Sequence, residues 1–108
     1  MRDLFNDICP DDCIVTPERL RDLDPGYCDT SRAAGLMLRP TSTAMVAAIC
    51  ARASQHATPL VPQGGLTGLV DGTATTPDQV ALSLERMTRI LRVDPLQRVI
   101  VAEAGATI

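Results

Sequence analysis

The sequence predicts an α+β fold, α/β-like in its first half: a strand–helix–strand unit followed by a cluster of short strands. Three observations predict it. Two short apolar runs, at 35–40 and around 60–61, flank a stretch ending near residue 56 in which apolar residues recur at helical spacing. Three further runs rich in Val, Ile and Leu lie between residues 79 and 102, separated by turn residues. The composition, 45% hydrophobic and 21% charged, is that of a globular chain, and 108 residues allow one domain at most.

In chain order, residues 1–30 read as polar and irregular, apart from one short helix. Thr16 caps that helix and Pro17 takes its first position, where a missing N–H costs nothing. Asp24-Pro25-Gly26 ends it, and 25–34 read as a loop. Gly35 to Pro40 is a short strand closed by proline. Thr41 or Ser42 then caps a helix running to about His56. Its expected buried face is Met45, Val46, Ile49, Cys50 and Ala53, with Arg52, Ser54 and Gln55 opposite.

Leu60-Val61 centres a second strand between Pro59 and Pro62. A glycine-rich loop, Pro62 to Gly72, follows it. Gln79–Leu84 is the third strand, Glu85-Arg86-Met87 a turn or a single helical turn, and Arg89–Val93 and Arg98–Ala102 the last two strands. Asp94-Pro95-Leu96-Gln97 joins that final pair as a hairpin turn. A strand–helix–strand unit within one sheet implies a parallel pair with a right-handed crossover. The segment from Val99 to Ile108 runs from a strand into a glycine turn and the expected start of a further helix. The expected organisation is therefore an N-terminal extension, 1–34, and the first part of a larger domain, 35–108.

Composition narrows the partners. Aromatic residues make up 2% of the chain, one Phe and one Tyr, so stacking on bases is excluded as a binding strategy. The net charge is −3, lysine is absent and the arginines are scattered, which argues against nucleic acid. No run reaches the roughly 18 apolar residues of a membrane span. The acidic opening has no hydrophobic signal core, so the expected compartment is the cytoplasm. Cys9, Cys13, Cys28 and Cys50 lack the paired spacing of a zinc site, and His56 stands alone, so no metal is expected. The cysteines read as mostly buried structural thiols. Met37, Met45 and Met87 read as core fillers, Glu85-Arg86 as a surface pair, and His56 as a solvated residue at a helix C-terminus.

The chemistry is concentrated in Pro62-Gln63-Gly64-Gly65-Leu66-Thr67-Gly68-Leu69-Val70-Asp71-Gly72, with four glycines in eleven residues. Glycines let a ligand approach the backbone, and successive N–H groups in such a turn form an anion-binding nest. Thr67 adds a hydroxyl. The loop has neither the lysine of a P-loop nor G-x-G-x-x-G spacing. Taken alone, it serves equally as a structural turn or an anion nest. Any diphosphate would be neutralised by backbone dipoles, because the loop holds no cation.

Four stretches in order carry a resemblance: Arg39-Pro40-Thr41-Ser42-Thr43; Pro59 through Val70; Val80-Ala81-Leu82-Ser83-Leu84-Glu85-Arg86-Met87; and Val101-Ala102-Glu103-Ala104-Gly105. Over residues 27–108 the chain resembles the N-terminal, PCMH-type FAD-binding region of the vanillyl-alcohol oxidase superfamily. Within that superfamily it looks most like the FAD-linked 2-hydroxy-acid dehydrogenases that act on D-2-hydroxyglutarate, D-lactate or glycolate.

The resemblance implies the first subdomain of a PCMH-type FAD-binding domain. Gln63, Gly64, Gly65, Leu66, Thr67, Gly68 and Leu69 would cradle the FAD pyrophosphate. Pro62 would end the strand and aim the loop, and Ala104-Gly105 would make a second approach to the cofactor. Leu66 stands where close relatives carry Asn, and Asp71 where they carry Gly. Thr67 occupies about the place of the histidine that binds FAD covalently in some members, so non-covalent FAD is expected. The whole enzyme would oxidise a 2-hydroxy acid, with hydride passing to the flavin and a base taking the hydroxyl proton. The catalytic residues would lie in a later part of the chain, so these 108 residues alone would be inactive and prone to self-association. The alternative is a stand-alone binding or interaction module that reuses the half-fold without flavin.

Overall fold

The structure is a computed structural model and describes residues 1–107. Residues 103–107 form a turn, while the helix expected to start there depends on Ile108, outside the described residues. Six strands and two α-helices follow in the order β1 (Ile14–Val15), α1 (Pro17–Arg21), β2 (Leu36–Leu38), α2 (Thr43–Gln55), β3 (Leu60–Gln63), β4 (Val80–Ser83), β5 (Ile90–Asp94) and β6 (Val99–Ala102). Short 3-10 turns at Arg2–Leu4, Asp11–Cys13 and Asp71–Thr73 complete the chain. No helix among the described residues is long and apolar enough to cross a membrane.

Four strands form one mixed sheet in the order β1-β2-β4-β3, and β5 and β6 form a separate antiparallel hairpin. The parallel strand–helix–strand unit of β2, α2 and β3 is present, but its strands are not neighbours. β4 sits between them, parallel to both, pairing Leu36–Leu38 with Val80–Leu82 and Leu60–Gln63 with Val80–Ser83. β4 is buried on both faces, as the unbroken run Val80-Ala81-Leu82-Ser83 requires of a central parallel strand. Pro62 lies within β3 rather than ending it, and the strand runs on to Gln63. An edge strand tolerates a residue without an N–H.

α2 is positioned by local chemistry. The Ser42 hydroxyl accepts from the Met45 N–H at 3.2 Å, which settles the cap in favour of Ser42 over Thr41. Ile49 and Ala53 are buried, with Met45 and Val46 half-buried beside them. Cys50, expected on that face, is exposed, because it lies about 100° around the helix from Ile49 and past the edge of the stripe. Arg52, expected on the outer face, flanks the opposite edge. It reaches Asp7 through two bonds of 2.8 Å and the Leu4 carbonyl at 2.8 Å.

The first 30 residues are not an irregular polar stretch. Phe5, Cys9, Cys13 and Ile14 are buried with Leu36, Leu38, Ile49, Ala53, Val80 and Leu82 in the core between α2 and the sheet. Val15 and Leu20 close the other face against Ala34, Met37 and Ala81. β1 pairs antiparallel with β2, Ile14 opposite Leu38 and Val15 opposite Met37. The apolar residues here are interleaved with charges at no regular period, so no amphipathic pattern announced them. Three of the four cysteines are buried, and burial pushes the Cys9 thiol up to about 11, so it stays protonated at neutral pH. Glu85 and Arg86 do not pair with each other. Glu85 meets Arg39 at 3.5 Å and Arg86 meets Asp12 at 3.6 Å, fastening the turn after β4 to the N-terminal segment.

Candidate functional site

The glycine loop leaves β3 at the sheet edge, and its two ends are held by buried polar groups from the segment before β2. Gln63 is 2% exposed, and its Nε2 donates to the Ser31 carbonyl at 2.8 Å and the Thr73 carbonyl at 3.0 Å. Thr75, also buried, sends its N–H to the Thr30 carbonyl at 3.2 Å and its hydroxyl to the same carbonyl at 3.0 Å. The Ser31 hydroxyl donates to the Pro25 carbonyl at 2.5 Å. These bonds stitch residues 25–31 to both sides of the loop.

A further tether grips the loop in its middle. The Tyr27 N–H donates to the Leu66 carbonyl at 3.1 Å. Gly26 makes that approach possible: its φ is +70°, and a Cβ there would collide with the Leu66 backbone. Leu66 itself has φ 62°, the left-handed region that a leucine enters at a cost of roughly 1–2 kcal/mol. An asparagine would sit there more easily.

Between the loop and the turn after β6 lies an open cleft of about 430 Å³. Its lining comes from the glycine loop (Gly64, Gly65, Leu66), from the chain after β4 and after β6 (Glu85, Thr88, Gly105, Thr107) and from the segment before β2 (Asp24, Gly26, Arg32). An adjoining hollow is bounded by Gly65, Thr67, Ala106 and Thr107. The glycines fall into two classes. A Cβ on Gly105 would overlap the Leu84 carbonyl, and its N–H donates to the Met87 carbonyl at 2.9 Å, so the fold itself requires a glycine there. A Cβ on Gly64, Gly65 or Gly68 would meet nothing within 4 Å. Packing gives no reason for those glycines. They leave bare backbone facing open space, as a cradle for an anion does.

Of the residues expected at the site, Gly64, Gly65, Leu66 and Gly105 face the main cleft and Thr67 the hollow beside it. The Gln63 side chain is committed inward as a brace, with its Oε1 buried and, among the described residues, without a hydrogen-bond partner. Pro62 lies on the outer edge of β3, and Gly68 and Leu69 are in solvent outside the cleft lining. Asp71 also lies outside that lining. His56 caps the C-terminus of α2, exposed.

Sequence reasoning did not place Asp24, Arg32 and Glu85 at the site. Glu85 is engaged by Arg39, and the Asp24 carboxylate accepts from the Gly26 N–H at 2.9 Å. The Arg32 Nε donates to the Asp24 carbonyl at 3.0 Å. These residues come from separate segments, brought together only because the 25–34 loop folds under the glycine loop.

Comparison with known proteins shows the family and the fold. The family described as FAD binding domain matches residues 34–108. A probable mitochondrial D-2-hydroxyglutarate dehydrogenase of Oryza sativa subsp. indica is 38% identical over 73 residues, covering 68% of this chain and 13% of that protein. A D-lactate dehydrogenase of Archaeoglobus fulgidus is 36% identical over 73 residues, covering 68% of this chain and 16% of its own length. Among solved structures, alkyldihydroxyacetonephosphate synthase superposes with a TM-score of 0.79 at 16% identity, covering 98% of this chain and 25% of that one. That likeness shows a shared fold. The aligned part thus spans about an eighth to a sixth of these curated relatives.

Proposed function

The chain belongs to the FAD binding domain family, and from that premise we propose that it holds the pyrophosphate of FAD, non-covalently, as part of a flavin-dependent oxidoreductase acting on a 2-hydroxy acid. The observation that carries the reading is the set of glycines at 64, 65 and 68, free of packing demands, the first two of which border a cleft. The relatives' names supply the substrate class: D-2-hydroxyglutarate in one case, D-lactate in another.

Bound flavin would supply the hydride acceptor. This chain's residues would bind and orient it: the backbone of Gly64 to Thr67 would face the diphosphate, and Gly105 would make a second approach to the cofactor. Substrate binding and proton removal fall to residues outside this chain's cleft. The exposed apolar residues of the β5–β6 hairpin support self-association of the isolated chain, which light scattering would report as a mass above 11.5 kDa. The cytoplasm remains the proposed compartment, although several relatives are named as mitochondrial; cell fractionation decides between the two.

FAD titration followed by flavin fluorescence tests the main reading. The wild type should bind, and a Gly64→Ala/Gly65→Ala variant should bind at least tenfold more weakly with unchanged far-UV circular dichroism. Equal binding by both would remove the loop from the site. A second reading, a binding module without flavin, is favoured by the apolar Leu66 on the cleft wall. It predicts no flavin binding even at saturating FAD.

A further inference from the structure

All ten Lys and Arg positions of the chain are arginines, and among the described residues six of them form ion pairs with carboxylates. Arg21 instead donates to the carbonyls of Arg32, Ala33 and Ala34, and Arg19 and Arg98 lie exposed on the surface. Arg32 differs from all of these. It is half-buried and lines the same cleft as Gly64, Gly65 and Leu66, and among the described residues no carboxylate is within ion-pair distance. Its Nε has a good acceptor in the Asp24 carbonyl, but Nη1 meets only the Met37 sulfur at 3.4 Å, a weak acceptor. Nη2 has no acceptor among the described residues and is not sealed from solvent. Burial lowers the pKa of this guanidinium, partly opposed by the fields of Glu85 and Asp24.

A half-buried guanidinium with unused donors and no counter-ion can take an anion without giving up an existing ion pair. The glycine loop has the opposite deficit, since it offers N–H dipoles and no charge. We propose that Arg32 is the cation of this cleft and binds the diphosphate group of the dinucleotide that the Gly64–Leu66 backbone cradles. The assignment rests on the flavin reading above and adds a residue from outside the loop to it. A planar guanidinium suits paired phosphate oxygens, and Nη1 and Nη2 are the donors left for them. The two carboxylates nearby do not compete for these donors: Glu85 is paired with Arg39, and Asp24 is turned to the Gly26 N–H. Arg21 acts as a positioning residue, fixing the backbone of residues 32–34 through bonds of 2.6, 3.0 and 3.2 Å.

The test titrates the full chain, as wild type, Arg32→Gln and Arg32→Lys, with FAD, inorganic pyrophosphate and phosphate-free riboflavin. Flavin fluorescence reads the flavins and amide chemical shifts read pyrophosphate. Arg32→Gln should weaken FAD and pyrophosphate by roughly ten- to a hundredfold and leave riboflavin unchanged. Arg32→Lys, which keeps the charge and loses the fork, should fall between. It carries the test alone if Arg32→Gln does not fold. Wild-type binding of FAD with no loss in the variants would overturn the role of Arg32 and leave the flavin reading standing. An equal loss for riboflavin would overturn it as well, by showing a merely structural part. A wild type that binds none of the three probes overturns the flavin reading, and this assignment with it.

Discussion

The four-stranded sheet and the β5–β6 hairpin are built from the same kind of sequence and end in opposite environments. β4, Val80-Ala81-Leu82-Ser83, is buried at every position, while β6, Val99-Ile100-Val101-Ala102, is exposed at every position. In the hairpin Val93 faces Ile100 across the strands, with exposures of 61% and 66%, and Ile90 at 57% lies opposite Ala102. Strand pairing in the hairpin is therefore local and burial is not: the turn at Asp94–Gln97 brings β5 and β6 together, but only a facing layer takes their apolar side chains out of water. The sheet has two such layers. The hairpin has none, and it rests on the body at the Leu84–Met87 turn through Gly105. The radius of gyration, 14.6 Å, exceeds the about 13 Å expected of a compact domain this long.

If the contrast holds, substitutions in the two regions should differ sharply. Phe5→Ala, in the core under the sheet, should cost about 3–5 kcal/mol by urea denaturation, whereas Ile100→Thr should stay within about 0.5 kcal/mol. Comparable losses would mean that the hairpin is buried in solution. Gly105→Ala should cost about 1–3 kcal/mol, and hydrogen exchange should place the loss in the hairpin amides. Gly64→Ala should leave the melting curve nearly unchanged. Leu66→Asn should stabilise by about 1 kcal/mol, because it relieves a left-handed leucine; no gain would show that the Tyr27 tether already absorbs the strain.

The smallest expected effect depends on pH. Glu103 takes three bonds from Arg89, from the backbone N–H and Nε at 2.9 Å and Nη2 at 3.3 Å, and the Arg89 side chain holds its carboxyl below the usual 4.5. A lowered native pKa gives stability that is complete above 4.5 and lost as pH falls through the native value. Protection factors of the amides at the hairpin base should fall as pH drops below 4.5. Asp7, held low by Arg52, adds the same dependence in the sheet half. Acid titration that leaves both regions unchanged would remove these pairs as contributors.

The parts of the fold read correctly from the sequence were those set by neighbours in the chain. Ser42 and the 45/49/53 stripe defined α2, Asp94 marked the hairpin turn by accepting from Leu96 and Gln97, and the glycine loop followed its strand. What was missed depends on distant partners. Nothing near Val80 says that it inserts between Leu36 and Leu60, because parallel pairing is settled by the whole sheet. Ile14-Val15, two β-branched residues just before a helix cap, was the one signal for β1. Arg32 was invisible as a site residue because thirty-two positions of chain separate it from Gly64.

β1 is only two residues long, yet it bears on how this protein is handled at the bench. The family match starts at residue 34, and an expression clone trimmed to it would remove β1, Phe5, Leu20, Arg21, Arg32 and the Tyr27 tether together. Such a trimmed protein would bare the backbone edge of β2 along Leu36–Leu38, an invitation to strand-to-strand aggregation. Insolubility of a clone cut at that point would thus report on the cut and say nothing of the loop's appetite for flavin.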